Sequence, residues 1–221
     1  MKRLHGLVVA VVLGVLAVSP CWSNNHDPAA KAVSTENARP LLNSERIKQK
    51  YGSYGIDVLQ DDGKVRISSL YTTRGSQKTT RTLAVVVYPE LIPVQIQQEH
   101  QAITAGGSIG EVFARKGWCV VKENLYFGEI KASLDFEEIY SLMGGIEETN
   151  LAVHVYRLSV CRAGSCFAYA TLSEVHHPDY LGLSDLREIY GGSKIALDPG
   201  AKNERDVQLA LDLTITALAT Q

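Results

Sequence analysis

The densest group of residues able to do chemistry is His176-His177-Pro178-Asp179-Tyr180. Two imidazoles and a carboxylate in a turn could bind zinc, or serve as a general base and the group that orients it. Neighbouring residues at a strand end face opposite sides, so at best one of the two histidines joins Asp179. The plainer alternative is a turn set by Pro178, with one imidazole on backbone. A second candidate is Glu99-His100. His100 shares a helix face with Ile96 and Ile103, as a satisfied core histidine would, and Glu99 points about 100° away. A metal site becomes credible where His100 meets His176 or His177, with Glu99 or Asp179 beside them. The candidate zinc ligands are therefore His100, His176, His177 and Asp179, and with Glu99 they are the candidate catalytic residues. No other cofactor is expected.

Other segments carry less chemistry. Gly106-Gly107-Ser108-Ile109-Gly110 precedes a helix, where backbone amides could hold an anion. It lacks the spacing of a nucleotide loop, and reads more simply as punctuation between helices. Tyr51-Gly52-Ser53-Tyr54-Gly55, with Tyr71, Tyr88, Tyr126 and Trp118, could build a binding surface or edge the core. No GxSxG, HExxH, Walker or EF-hand spelling is present.

The cysteines make the firmest chemical statement. Cys161 and Cys166 flank Arg162-Ala163-Gly164-Ser165 between two alternating runs. With Cys161 opposite Cys166, Val160 faces Phe167, Leu158 faces Tyr169 and Tyr156 faces Thr171, so large side chains share a face. Opposed cysteines in a non-hydrogen-bonded pair are close enough for a disulfide. So small a ring contributes about 2 kcal/mol. The pair lacks the Cys-x-x-Cys spacing of redox motifs and reads as a staple. Cys119, beside Trp118 and Val120, reads as a buried thiol.

The elements that must position these residues are short. Ile56–Leu59 and Val65–Tyr71 read as strands around an Asp-Gly turn, and Thr82–Tyr88 as a third that Pro89 ends. Val94–Ala105 has helical period, and Ser108–Glu111 spells a capping box for the next helix, which Gly117 ends. Trp118–Phe127 reads as a strand. A helix follows from Asp135, with Phe136, Ile139, Tyr140 and Met143 on one stripe. After the 150–175 hairpin, Ser184 reads as the cap of a helix through Tyr190. At 207–218, Val207, Leu209, Leu211, Leu213 and Ile215 alternate as in a strand, while Val207, Ala210, Leu211, Thr214 and Leu218 fit a helix. The tighter alternation favours the strand. Hairpins without βαβ spacing predict an α+β fold: an antiparallel sheet with three or four short helices packed on one face.

The N-terminus reads as an address. Lys2 and Arg3 precede an apolar run from Gly6 to Ser19, closed by Pro20. That run suits a signal peptide and is short for a membrane span. Cleavage before Asn24 would make 1–23 a signal peptide, 24–44 a polar flexible linker and 45–221 a single domain. Cys21 stands where a lipoprotein carries its acylated cysteine, but Pro20 departs from the small residue a lipobox needs. Export to a periplasm or beyond is the expected localisation, with an outer-membrane lipoprotein as its anchored version.

Composition sets the outer limits. The 221 residues are 45% hydrophobic and 21% charged, with a formal net charge of −2. Such a chain is not collagen-like, wholly disordered or polytopic, and its charge argues against nucleic-acid binding. The expectation is a soluble, non-catalytic envelope protein that binds or assembles with an unknown envelope protein or small ligand. It would touch the membrane only through an N-terminal anchor. The alternative is a metal- or His-dependent hydrolase using the His176–Asp179 turn with Glu99-His100.

Overall fold

Runs of β-branched and alternating residues separated by turn spellings favour hairpins, and three hairpins supply most of the sheet. In the computed structural model, which describes residues 41–132, 136–144, 146, 149–191 and 205–219, the strands are β1 (Gly55–Asp61), β2 (Val65–Arg74), β3 (Gln77–Val87), β4 (Cys119–Lys131), β5 (Asn150–Arg162) and β6 (Ser165–His176). They form one six-stranded sheet in the order β1-β2-β3-β6-β5-β4, every neighbour antiparallel. Pairing of β3 with β6 joins the two halves. The first turn is built by Asp62, whose Oδ1 accepts from the amides of Lys64 at 2.8 Å and Val65 at 2.7 Å. The β5–β6 turn places both Ala163 (φ 51°) and Gly164 (φ 82°) in the left-handed region. That combination is what a two-residue hairpin loop needs, and Ala163 takes it against its preference.

The helices are α1 (Asn43–Tyr51), α2 (Gln97–Thr104, entered through a 3₁₀ turn at Val94–Ile96), α3 (Ile109–Arg115), α4 (Glu137–Met143), α5 (Leu183–Tyr190) and α6 (Arg205–Ala219). The fold is α+β as expected, but six α-helices are described rather than three or four. They also cover both faces of the sheet rather than one. On one face, α4 and α6 press Ile139, Met143, Val207, Ala210, Leu211 and Leu218 against Leu83, Val85, Val153, Val155 and Val175. On the other, α2 and α3 cover one end, where Ile96, Ile103 and Phe113 meet Val86, Leu158 and Tyr169. Helices α1 and α5 cover the opposite end, where Ile47, Leu186 and Tyr190 meet Leu70, Ala84 and Phe127. A sheet greasy on both faces needs a layer on each.

Five further sequence expectations are corrected. Residues 207–218 are helix: Val207, Ala210, Leu211, Thr214 and Leu218 are buried at helical spacing, and Leu209 and Ile215 are exposed. The Thr214 hydroxyl donates to the Ala210 carbonyl at 2.6 Å, which settles a threonine into the helix. The β5–β6 register matches at Cys161↔Cys166 and Val160↔Phe167, then shifts at a bulge. Leu158 consequently faces Ala170 and Tyr156 faces Leu172, because Tyr169 is accommodated as an extra residue. Ser108 stands at the cap position of α3 without a side-chain cap bond; its hydroxyl lies 3.5 Å from that of Tyr54. Helix α5 starts ahead of Ser184, with Asp185 Oδ2 accepting from the Gly182 amide at 2.7 Å. The unit carrying the sheet spans Pro40–Gln221, so Asn43 and Ser44, assigned to the linker, are the buried start of α1. Residues 1–40, which include the segment read as a signal peptide and Cys21, and Asp135 lie outside the described residues.

Candidate functional site

The two histidine candidates at the end of β6 part company, as alternation requires. The buried His176 turns to the α1 face, where its Nδ1 lies 3.0 Å from Thr82 Oγ1 and its ring meets Tyr180 edge-on at 5.8 Å. His177 turns to the other face, against the Met143 and Gly144 backbone at the end of α4. Its Nδ1 accepts from the Asp179 amide at 3.0 Å, and the Asp179 carboxylate is 3.9 Å away. Burial and the Arg81 charge lower the His177 pKa, against the pull of Asp179. The turn is thus the plainer alternative of the sequence reading, with one imidazole tied to backbone.

The second pair sits at the other end of the sheet. His100 Nδ1 is 3.2 Å from the Tyr169 hydroxyl, and its ring packs edge-on against Tyr88 at 4.9 Å. Burial lowers its pKa, and Asp61 pulls it back up. Glu99 is more buried than His100, reversing the expected exposure, because its carboxylate accepts the indole N–H of Trp118 at 3.0 Å. Tyr169 and His176 are seven residues apart on β6, roughly 20 Å along a strand. His100 and Glu99 therefore do not join His176, His177 or Asp179, and the shared centre required for the hydrolase is not formed. Among the described residues, no three His, Cys, Asp or Glu side chains stand together as metal ligands.

What the structure does bring together is a polar cluster beneath α1 and α5. Glu174 lies two residues before His176 on the same face of β6, directly opposite His154 of β5. Its Oε1 accepts from the Tyr156 hydroxyl at 3.0 Å and from Asn43 Nδ2 at 3.3 Å. Lys122 Nζ is 3.9 Å from its Oε2 and 4.0 Å from the centre of the Tyr156 ring. Burial disfavours the Glu174 charge, but Lys122 and these hydrogen bonds outweigh it and its pKa falls below the usual carboxylate value. The same burial and the same carboxylate drive the Tyr156 pKa well up. His154 is clasped by Phe127 at 4.6 Å, Tyr190 at 4.6 Å and Tyr156 at 4.7 Å. Its Nε2 donates to Asn124 Oδ1 at 2.8 Å.

Two imidazole nitrogens in this cluster, His154 Nδ1 and His176 Nε2, are buried without a hydrogen-bond partner. Burial first, then Lys122 and Arg46, hold both rings neutral; Glu174 opposes this only in part at His176, whose pKa drops to about 4. His154 is lowered well below its ordinary value. The arrangement is a buried carboxylate, a neighbouring ammonium and two buried neutral imidazoles. Sequence reasoning found His176 and missed Glu174, His154, Lys122, Tyr156 and Asn43. The signal was the i, i+2 spacing of Glu174 and His176, which puts both on one face of a strand.

The disulfide expected between Cys161 and Cys166 is present. Cys119, directly opposite Cys161 on β4, is half-buried and itself disulfide-bonded, which corrects the reading of a buried thiol. Comparison with protein-family models and with curated proteins finds no match to this chain.

Proposed function

We propose that this is an exported, non-catalytic protein of the cell envelope that binds or assembles with another envelope component. One observation carries the reading: the side chains best suited to catalysis serve as internal fasteners. Glu99 holds Trp118, His176 holds Thr82, and Glu174 holds Tyr156 and Asn43. The Cys161–Cys166 disulfide fits an oxidising compartment. No helix among the described residues is long and apolar enough to cross a membrane, so membrane contact would fall to the N-terminal segment. The loop joining β3 to α2 offers a surface for binding, since Leu91 is 83% and Val94 74% exposed there.

The test has two arms. Metal analysis of the purified protein, with alanine at His100, His176, His177 and Asp179, should find no stoichiometric metal that these changes remove. Photocrosslinkers at Leu91 and Val94 in cells should give a discrete adduct that one at exposed Lys48 does not. A bound metal lost on those substitutions would overturn the non-catalytic reading. Identical crosslinking at all three positions would remove the loop as the binding surface.

A further inference from the structure

Asn43 opens α1 and connects that helix to the titratable groups below it. Its amide donates to Thr82 Oγ1 at 3.2 Å, and the same hydroxyl lies 3.0 Å from His176 Nδ1. Asn43 also accepts from the Tyr180 hydroxyl at 2.5 Å. A neutral His176 suits this chain, because Thr82 can accept from Asn43 and donate to Nδ1. A protonated imidazole is a donor at both nitrogens. Thr82 would then meet two donors and lose the acceptor for its own hydrogen. Nε2 already carries the hydrogen of the neutral ring without an acceptor, and a charged ring would place a cation there with nothing to receive it. His154, whose hydrogen is on Nε2 and goes to Asn124, would gain a second at Nδ1, where no acceptor stands. A buried polar group without a partner is costly, and a charged one more so.

Helix α1 is lightly anchored to the sheet. Its buried residues are Asn43, Ser44 and Ile47, so one fully buried apolar side chain anchors it, with the Tyr51 ring packed half-buried 6.1 Å from that of Tyr180. Its remaining hydrogen bonds lie at the rim. Lys50 Nζ donates to the Asp179 and Tyr180 carbonyls at 2.7 and 3.0 Å, Tyr51 to the Asp179 carbonyl at 3.0 Å, and Arg46 to the Tyr190 hydroxyl at 3.3 Å. Little apolar burial and many solvent-replaceable bonds mark a segment of low local stability.

We infer that α1 is an acid-released latch: charging His176 and His154 breaks the Asn43–Thr82–His176 chain, α1 lifts, and Glu174, Lys122 and Tyr156 open to solvent. This inference does not depend on the binding role proposed above. The groups facing the two imidazoles are Lys122 from β4, Tyr156 from β5, Glu174 from β6, Arg46 from α1, Tyr190 from α5 and Tyr180 from the loop before α5; β3 contributes the uncharged Thr82. Glu174 favours the charge on His176, while burial, Lys122 and Arg46 oppose it on both rings and His176 opposes it on His154. Opening hydrates the rings and returns them toward their ordinary value of 6.5. Opening therefore takes up protons and grows as pH falls below 6.5, levelling off near 4. For His176 alone the opening constant rises roughly 30-fold between neutral pH and pH 5.

Native-state hydrogen exchange of the full chain, corrected for the intrinsic rate at each pH, tests this. The α1 amides should exchange faster than those of β5 at every pH, and their opening constant should rise by roughly 30-fold or more at pH 5. His176→Gln should remove most of that rise, and His100→Gln should leave it intact. The latch is overturned if α1 exchanges in step with β5, if α1 is equally protected at pH 7.5 and 5, or if His176→Gln keeps the wild-type response. Should His176→Gln not fold, the imidazole proton resonances of the unaltered protein decide. A His176 midpoint below 5 supports the latch, and one near 6.5 in the folded protein overturns it.

Discussion

Two polar clusters share one face of the sheet, and they handle charge in opposite ways. Under α2 and α3, apart from the Glu99 carboxylate, the buried charge is Arg66. It donates through Nε to Ser68 Oγ at 2.9 Å, through one Nη to the Gly107 carbonyl at 3.0 Å, and through the other to the Ile103 carbonyl. A guanidinium keeps its proton at any accessible pH, and carbonyls at the end of α2 are fixed acceptors. The titratable histidine there, His100, sits half-exposed at the rim. Under α1 and α5 the titratable groups are inside, with Glu174, His154 and His176 all buried. Arg66 should be indifferent to acid, and the second cluster should report it. Burial alone does not make a region responsive; burial of a group whose charge can change does.

The largest effect expected is from Glu174→Leu, which leaves Lys122 and the Tyr156 hydroxyl beside an apolar side chain. Removing one partner of such a pair should cost about 3–5 kcal/mol in urea unfolding. The matching change at the other end, Glu99→Leu, orphans only the Trp118 indole N–H and should cost about 1–3 kcal/mol. Equal losses would erase the distinction between the clusters.

Acid should come next. His176 is a base whose folded pKa is depressed, so the unfolded chain binds its proton first. The stability this ring contributes is complete above pH 6.5 and is lost as pH falls toward about 4. The loss approaches about 3 kcal/mol for this ring. Unfolding midpoints measured across that window should show the slope in the unaltered protein and in His100→Gln, and a shallower one in His176→Gln. A slope that follows His100 instead would invert the comparison.

Trp118→Phe should cost about 1–2 kcal/mol by leaving the Glu99 carboxylate without its donor. Its cost should be the same at pH 5.5 and 8, and thermal melts at both values would show whether this end is as inert as argued. The smallest change is a control: Ala163→Asn eases a left-handed position in the β5–β6 turn and should raise stability by roughly 0.5–1 kcal/mol without altering the pH profile.

The strands and the Cys161–Cys166 staple were legible because period-two alternation and turn residues are local signals. Helix α6 was not, since Val207 and Leu211 satisfy both periods, and only the layer it packs on decides between them. The cluster was half legible. His176 stood out as a histidine beside a turn. His154 and Lys122 lie mid-strand with no spelling to mark them, and they reach Glu174 only through pairing with distant strands. Glu99 and His100 were placed on the right helix, but their burial depended on Trp118, nineteen positions away. Bulges leave no spacing of their own, so nothing before the fold announced the one at Tyr169.

That bulge gives β6 one residue more than β5 at this point. Deleting one residue between Phe167 and Tyr169 would erase the bulge and leave Ala170 and every later residue of β6 on its present partner, with Glu174 still opposite His154. The extra residue is thus a place where the strand can shorten by one without moving the carboxylate from Asn43 into the apolar layer around Met143.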